Sequence, residues 1–195
     1  ELCFRCHADS TNRGPARVTR QFVQTNTRLE FQGTDVSKDS HHPILKGGNN
    51  PDVPSLISPW TTASRMYCTD CHNNNQGPGA GGTGPNGPHG STYTPLLERQ
   101  LVLTDNQNES AAIYALCYKC HSRTIVLSGS TFSRHDQHIR DLRGACTTCH
   151  DPHGVASVNH LINFNTAYVT KSTTRNSGPT FTDNGNGHGS CTLTC

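Results

Sequence analysis

The sequence has no long apolar run and few charges. Its longest uninterrupted apolar stretch, Ala111 to Tyr118, is far shorter than the roughly 20 residues that cross a bilayer, so no membrane span is predicted. Charged residues make up 15% of the 195-residue chain, the formal net charge is +2, and no block of basic residues occurs. The sequence therefore lacks the electrostatic footprint of nucleic-acid binding. It also contains no glycine-rich phosphate loop and no GxSxG nucleophile elbow.

Apolar side chains are scarce as well. They amount to 31% of the sequence even with cysteine included, whereas 18 glycines and 11 prolines favour loops. A chain of this composition cannot easily offset the conformational entropy lost on folding by burying its own side chains. We therefore expect another chemical group to supply most of the core.

Cysteine and histidine, by contrast, are abundant, with 10 and 12 residues. Four segments share the pattern C-x-x-C-H, which is the attachment motif of c-type haem. In this motif both thiols form thioethers with the porphyrin, and the adjacent histidine is the proximal ligand of the iron. One copy alone is also compatible with half of a zinc site, a redox dithiol or an accident, but four copies favour four covalently attached haem c groups. The segments are CFRCH (Cys3, Cys6, His7), CTDCH (Cys68, Cys71, His72), CYKCH (Cys117, Cys120, His121) and CTTCH (Cys146, Cys149, His150).

The predicted fold is mostly irregular coil with a few short α-helices and little β-structure, wrapped around a stack of four haems. Three helices are expected near the attachment motifs. One begins at Ser58-Pro59 and leads into CTDCH, and one begins at Asn108 or Ser110 and leads into CYKCH. The third covers Phe132 to Leu142, just before CTTCH.

An imperfect internal duplication divides the chain. Residues 1–110 and residues 111–165 each contain two C-x-x-C-H motifs, so each part is expected to hold a pair of haems within one compact haem-cored unit. Within the first part, residues 73–90 are rich in glycine, proline and asparagine and are expected to form a loop. Residues 166–195 are polar and are expected to form a C-terminal strap or tail.

The second axial ligands of the irons are expected to be histidines. The only methionine, Met66, lies two residues before Cys68 and is too close to the attachment side of its own haem to reach the opposite face. Bis-histidine ligation of all four irons follows, and no open iron position is evident for catalysis. The distal candidates are His41, His42, His89, His138 and His153; His135 ranks lower, and His160 and His188 lack supporting context.

Sequence proximity limits which iron each candidate can reach. His153 lies three residues after the proximal histidine of CTTCH, on the same side of that haem, so it is expected to ligate the haem of CYKCH. His41 and His42 precede Pro43, which favours extended backbone at His42. Adjacent side chains on extended backbone point to opposite faces, so the pair can serve two irons, one of which can belong to another molecule.

The last two cysteines, Cys191 and Cys195, stand outside the four motifs. On a helical turn, cysteines four positions apart have Cα atoms about 6 Å apart, which lies within the range of a disulfide. Because c-type haem attachment is completed outside the cytoplasm, where disulfides persist, a disulfide between these two residues is expected. A truncated fifth haem motif and free thiols are the alternatives.

Several segments around the motifs resemble the multihaem c-type cytochromes of metal-reducing bacteria, in particular the tetrahaem subunits of extracellular cytochrome nanowires. The segments are DVSKDSHHPI, GPHGSTY, FSRHDQHIRDLRGACTTCHDPHG and NHLINF, and the resemblance extends from Cys3 to about Asn165. It implies self-association into a homopolymeric filament with a continuous chain of haems and a distal histidine donated between subunits. It also implies export through the periplasm to the cell surface, with the signal peptide absent from this sequence.

The predicted function is therefore electron transfer through closely packed bis-histidine haems, in exchange with redox partner proteins and extracellular acceptors. A soluble periplasmic tetrahaem shuttle is the main alternative. A multihaem reductase of nitrite, sulfite or a similar oxyanion is less favoured, because an open iron is often marked by an atypical motif and all four motifs here end in histidine. A cysteine-stapled adhesin or coat protein would require the motifs to be coincidental.

Overall fold

The computed structural model describes residues 2–8, 16–32, 39–48 and 50–195. Irregular backbone predominates, with short helices and little sheet, which confirms this part of the predicted fold. The α-helices are α1 (Phe4–His7), α2 (Thr27–Gln32), α3 (Ala115–Tyr118), α4 (Arg123–Leu127) and α5 (Cys146–Cys149).

Other helical turns and two small sheets complete the secondary structure of the described residues. Strand β1 pairs antiparallel with β2 and aligns His41 with Gly154, and β3 pairs antiparallel with β4. The strands are β1 (Ser40–His41), β2 (Gly154–Val155), β3 (Thr180–Gly185) and β4 (His188–Thr192). Single 3-10 turns cover Cys68–Asp70, Pro78–Ala80 and Asn159–Leu161, and a π-helix covers Gln137–Asp141.

Two of the predicted helices exist but are shorter than expected. Helix α3 begins at Ala115 rather than at Asn108 or Ser110. The Ser110 hydroxyl nevertheless accepts a hydrogen bond from the Ile113 N–H at 3.4 Å, so it caps a turn that precedes the helix. The helix predicted over residues 132–142 corresponds to the π-helix Gln137–Asp141.

The helix predicted from Ser58-Pro59 is wrong. This segment contains isolated turns, one of which has the Trp60 N–H donating to the Ile57 carbonyl at 2.9 Å. Its backbone bonds to distant segments instead, with the Ile57 N–H donating to the carbonyl of Cys120 and the Met66 N–H to that of Pro43, each at 3.0 Å. Tertiary hydrogen bonds therefore replace the helical ladder. The loop predicted for residues 73–90 is confirmed, with one 3-10 turn inside it.

The buried apolar side chains of the described residues form three small clusters rather than a large core. Each cluster lies beside at least one C-x-x-C-H segment. This agrees with the small apolar content of the sequence. The buried members are Tyr114, Leu127, Ile139 and Ala145 in the first, Phe4, Ala8 and Phe31 in the second, and Ile162, Phe164 and Val169 in the third.

The C-terminal residues form a β-hairpin that sequence analysis did not predict. Strands β3 and β4 are mostly exposed, but Phe181 and Leu193 pack against the cluster of Ile162, Phe164 and Val169. This contact attaches the hairpin to the segment that follows CTTCH. Among the described residues, no helix combines the length and apolarity that crossing a membrane requires.

Candidate haem sites

The four C-x-x-C-H motifs adopt the same local hydrogen bond, although they lie in different kinds of helical turn. In each motif the N–H of the histidine donates to the carbonyl of the first cysteine, which is four positions earlier. One turn of backbone thus holds two thiols and an imidazole together, as attachment to a single haem requires. The N···O distances are 2.9 Å for His7 and Cys3, 2.8 Å for His72 and Cys68, 3.0 Å for His121 and Cys117, and 3.0 Å for His150 and Cys146.

Three motif histidines each lie close to a second imidazole from elsewhere in the chain. Two imidazoles that share one metal ion have ring centres about 6 Å apart, given metal–nitrogen bonds of about 2.0 Å and ring nitrogens about 1.1 Å from the ring centre. The observed separations are compatible with this spacing. They are 6.5 Å for His42 and His121, 6.2 Å for His72 and His153, and 6.1 Å for His135 and His150.

Backbone carbonyls orient three of these six rings through Nδ1. The Nδ1 atoms of His42, His72 and His150 lie 2.6, 3.1 and 2.8 Å from carbonyl oxygens. A carbonyl oxygen can only accept, so Nδ1 carries the proton and donates, and Nε2 is left with a free lone pair. Histidines that ligate metals commonly have this second hydrogen bond, which fixes the tautomer and the ring orientation. The carbonyls belong to Pro152, Pro95 and His160, respectively.

Side chains occupy Nδ1 of the other three rings. The Ser55 hydroxyl lies 2.8 Å from Nδ1 of His121, and the Thr131 hydroxyl lies 2.9 Å from Nδ1 of His135. The Glu30 carboxylate lies 3.3 Å from Nδ1 of His153. All six paired imidazoles therefore have Nδ1 occupied by a hydrogen-bond or ion-pair partner, which leaves Nε2 as the ring nitrogen that can bind another group.

Burial favours the neutral form of five of these imidazoles. Desolvation lowers the pKa of both His121 and His135 to about 4. It also lowers the pKa of His42, His72 and His150 below its ordinary value. Only the neutral form of imidazole offers a lone pair to a metal, so the environment favours the ligating form.

The ring contacts differ from two sequence-based assignments of distal histidines, which stay predictions. His153 faces His72 of CTDCH, whereas the sequence predicted the CYKCH haem; His42 faces the CYKCH histidine instead. His135, ranked below His138, is the residue that faces His150. The exposed His138 turns its Nδ1 to the carbonyl of Arg134 at 2.8 Å. The sequence signal that favours His135 over His138 is the hydroxyl of Thr131, which lies four residues before His135 and contacts its Nδ1.

His41 is buried and has an available nitrogen. It is 6% exposed, its Nδ1 lies 3.1 Å from the His42 carbonyl oxygen, and its Nε2 is buried with no hydrogen-bond partner in the described part of the chain. Burying a polar atom without a partner is costly, so a group that bonded to this nitrogen would be stabilised there. Helix α2 packs against both β1, which carries His41, and α1, which carries the first motif. The candidate His89 is exposed.

The motifs are neighbours in space in the order in which they occur in the sequence. The thiols of Cys3 and Cys68 contact each other, and so do those of Cys117 and Cys146. Between them, Cys71 lies within electrostatic range of Cys120, and burial raises the pKa of Cys71 to about 12. The first motif thus adjoins the second, the second adjoins the third, and the third adjoins the fourth.

The imidazoles of the four sites follow the same order as the motifs. Burial is the main cause of the lowered pKa values of His72, His42 and His121, and a smaller contribution comes from the charge of His7, His153 and His150, respectively. Rings of successive sites therefore lie within electrostatic range of one another.

Arg20 fixes the backbone of CTTCH, a role that sequence analysis missed. Its guanidinium donates to the carbonyls of Thr147 at 2.7 Å, Asn163 at 2.8 Å and His150 at 2.9 Å. It also lies 3.3 Å from the carboxylate of Asp151, and both side chains are 11% exposed. Desolvation lowers the pKa of Arg20, although the Asp151 charge opposes this effect.

The two residues between the cysteines of CYKCH, Tyr118 and Lys119, each contact a buried carboxylate. The Tyr118 hydroxyl donates to Glu109 at 3.0 Å, and Arg123 donates to the same carboxylate at 2.5 and 2.8 Å. The Lys119 ammonium lies 2.7 Å from the Glu98 carboxylate and donates to the Asp70 carbonyl inside CTDCH at 2.7 Å. Lys119 therefore connects the second motif to the third.

Cys191 and Cys195 carry free thiols in this structure, as do the eight motif cysteines, so the disulfide between them stays a prediction. The expectation assumed a helical turn, but Cys191 lies in strand β4 opposite Phe181. The two thiols lie within electrostatic range of Cys149, whose pKa burial raises to about 12.

The described residues contain no cluster of three or more histidine, cysteine, aspartate or glutamate side chains that could hold a metal ion. Comparisons with protein-family models, curated proteins and solved structures give no match to this chain.

Proposed function

We propose that the protein is a tetrahaem c-type cytochrome that carries electrons and is not an enzyme. One observation carries the proposal: three motif histidines each face a second imidazole at the spacing of two ligands on one metal ion. Occupied Nδ1 atoms and lowered pKa values support it, because both favour ligation through Nε2. Bound haem would supply one-electron oxidation and reduction at its iron.

The ligand assignment follows from the three facing pairs. His153 is the second ligand at CTDCH, His42 at CYKCH and His135 at CTTCH. We assign His41 to the remaining site, that of CFRCH, because its Nε2 is buried without a partner and helix α2 packs against both segments. The thioether residues of the four sites are Cys3 and Cys6, Cys68 and Cys71, Cys117 and Cys120, and Cys146 and Cys149.

Conduction is favoured over catalysis by the supply of second imidazoles. A reductase needs an iron with an open position, whereas three of the proposed sites have a second imidazole nearby and His41 is assigned to the fourth. The contacts between successive motifs favour a linear order of the four sites, which suits electron transfer from one end of the molecule to the other.

We further propose that this unit repeats in an extracellular filament, as the resemblance to nanowire subunits implies. Cys3, Cys6 and His7 are exposed, so a group bound there would be accessible to a neighbouring copy or a redox partner. The burial of His41 favours ligation within its own chain over donation to a neighbour. A soluble shuttle with the same four sites is the alternative.

Two measurements on protein purified from its natural source test the proposal. Intact mass spectrometry is performed after denaturation, and electron paramagnetic resonance is recorded on the folded protein. We expect the mass of the polypeptide plus four haems and only low-spin iron signals. A polypeptide without haem would overturn the proposal, and a high-spin iron open to nitrite would favour the reductase. Electron microscopy then distinguishes a filament from a soluble shuttle.

A further inference from the structure

The C-terminal hairpin reaches the proximal histidine of CTTCH through one residue. In strand β3, a carboxylate oxygen of Asp183 lies 2.9 Å from Nε2 of His160. The carbonyl of His160 in turn accepts the hydrogen bond from Nδ1 of His150 at 2.8 Å. Asp183 therefore holds the residue that orients the His150 ring.

The turn of the same hairpin contacts the segment before His135, whose imidazole lies opposite His150. The carbonyl of Gly187 accepts a hydrogen bond from the Ser133 N–H at 3.2 Å. A Cβ at Gly187 would collide with the carbonyl oxygen of Thr131. The Thr131 hydroxyl lies 2.9 Å from Nδ1 of His135, so the turn packs directly on the segment that orients the His135 ring.

A third contact lies beside the attachment cysteine. Phe181 of β3 and Leu193 pack with Cys149 against the cluster of Ile162, Phe164 and Val169. The hairpin is thus in contact with the surroundings of all three kinds of group at this site, namely the thiol, the proximal imidazole and the distal imidazole.

We propose that the C-terminal hairpin positions both imidazoles of the CTTCH site and keeps that site closed to external ligands. This inference rests on the proposed haem ligation. Groups that hydrogen-bond to metal ligands fix the orientation and basicity of those ligands, so moving them alters the metal centre. Asp183 acts as a positioning residue for His150 through His160, and Gly187 acts as one for His135 through Thr131. A hairpin that only covers the surface would affect overall stability without acting selectively on one haem.

Two glycines of the hairpin turn provide a matched pair of variants. Gly185 and Gly187 have similar positive φ angles of 76° and 73°, so alanine meets similar backbone strain at both. A Cβ at Gly185 meets nothing within 4 Å, whereas one at Gly187 must displace Thr131. The comparison therefore isolates the contact with the His135 segment.

The test measures carbon monoxide binding to the reduced, fully loaded protein. We expect Gly187→Ala to make one haem in four reactive toward carbon monoxide, with loss of the corresponding low-spin signal in paramagnetic resonance. Gly185→Ala should leave all four haems unreactive. Equal behaviour of the two variants would overturn the assignment of Gly187.

Asp183 is tested separately, so the inference does not depend on one variant folding. We expect Asp183→Ala to shift one of the four reduction potentials and to increase hydrogen exchange of the backbone at residues 159–162. The neighbouring exposed residue supplies the control, since Asn184→Ala should change neither. Four unchanged potentials and unchanged exchange would overturn the role of Asp183.

Mass spectrometry of the same samples separates the two claims. If four haems are present and both hairpin variants leave every haem unaltered, the inference fails and the proposed function stands. If no haem is present, the proposed function fails, and this inference fails with it.

Discussion

His153 faces His72, with the two ring centres 6.2 Å apart, although His153 lies beside the CTTCH motif in the sequence. Helix α2 accounts for this arrangement. Phe31 packs against the His153 ring with a centre-to-centre distance of 5.4 Å, and the Glu30 carboxylate lies 3.3 Å from its Nδ1. An element from the N-terminal part of the chain therefore directs a histidine of the fourth motif's segment to the second motif.

The ring of His135 lies opposite that of His150, whereas the ring of His138 does not, so the two residues can be compared directly. We expect His135→Ala to convert one haem in four to a high-spin state, because His150 would lose the imidazole that lies 6.1 Å from it. His138→Ala should leave every iron low-spin, since Nδ1 of His138 bonds to the carbonyl of Arg134 in the turn before its helix and its ring lies beside Phe132. Paramagnetic resonance of the two purified variants checks this, and the reverse result would restore the assignment made from sequence.

His41 is the proposed second ligand of the first site. His41→Ala is expected to give one high-spin haem per chain, both in separated chains and in any filament, because the ring is buried within its own chain. His89→Ala serves as the control, since His89 is exposed and is assigned to no iron. Spectra should be recorded before and after disassembly. A high-spin iron in His89→Ala filaments but not in His41→Ala would show that the fourth ligand comes from a neighbouring copy.

Arg20 is expected to be a major source of stability near CTTCH. Arg20→Met would leave Asp151 without its buried partner and would free the carbonyls of Thr147, Asn163 and His150. Breaking a buried ion pair from one side costs about 3 kcal/mol, so the free energy of unfolding should fall by that order. Denaturant titration of the loaded protein measures it. Arg17→Met, at an exposed position, should have little effect, and equal losses would contradict the role of Arg20.

Glu109 gives stability that depends on pH. Hydrogen bonds from Arg123, the largest cause, hold the pKa of Glu109 below its ordinary value of 4.5. A carboxyl whose pKa is lowered by folding stabilises the fold above its unfolded pKa, and this contribution is lost as pH falls through the folded pKa. At pH 7, Glu109→Gln should therefore lower the free energy of unfolding by about 2 kcal/mol, as expected for lost hydrogen bonds to a charged group.

The difference between Glu109→Gln and the unmodified protein should shrink when unfolding is measured below pH 4.5. Asp52→Asn, at an exposed position, is the control and should alter stability little at either pH. A constant difference across this range would show that the Glu109 charge is not the source of the effect.

The apolar clusters are expected to be too small to fold the chain without haem. Replacing all eight motif cysteines with alanine should give a polypeptide with coil-like circular dichroism and rapid proteolysis, because the largest source of buried apolar surface would be missing. Cys191→Ala with Cys195→Ala is the control, since both thiols lie outside the motifs. A compact, protease-resistant chain without attachment sites would contradict the account of the core.

The sequence predicts the local parts of the sites better than their pairing. The four motif turns are local, because each depends on a hydrogen bond between residues four positions apart. The partner of His72 depends instead on a tertiary contact, that of Phe31 with His153, and the partner of His150 lies 15 positions before it in the sequence. Spacing alone could not reveal them.

The hairpin and the failed helix show the same limit. Strands β3 and β4 are largely polar and exposed, so they lack the alternating apolar pattern by which a half-buried strand is found in sequence. Ser58-Pro59 has a typical helix-start pattern, but hydrogen bonds to Cys120 and Pro43 determine the backbone around it.

Anomalous diffraction at the iron absorption edge, recorded from crystals of the loaded protein, tests the central claim most directly. The account predicts an iron between His42 and His121, one between His72 and His153, and one between His135 and His150, each about 2 Å from the two Nε2 atoms. It predicts a fourth iron bound by His7. Irons at other positions, or no iron between these three imidazole pairs, would contradict it.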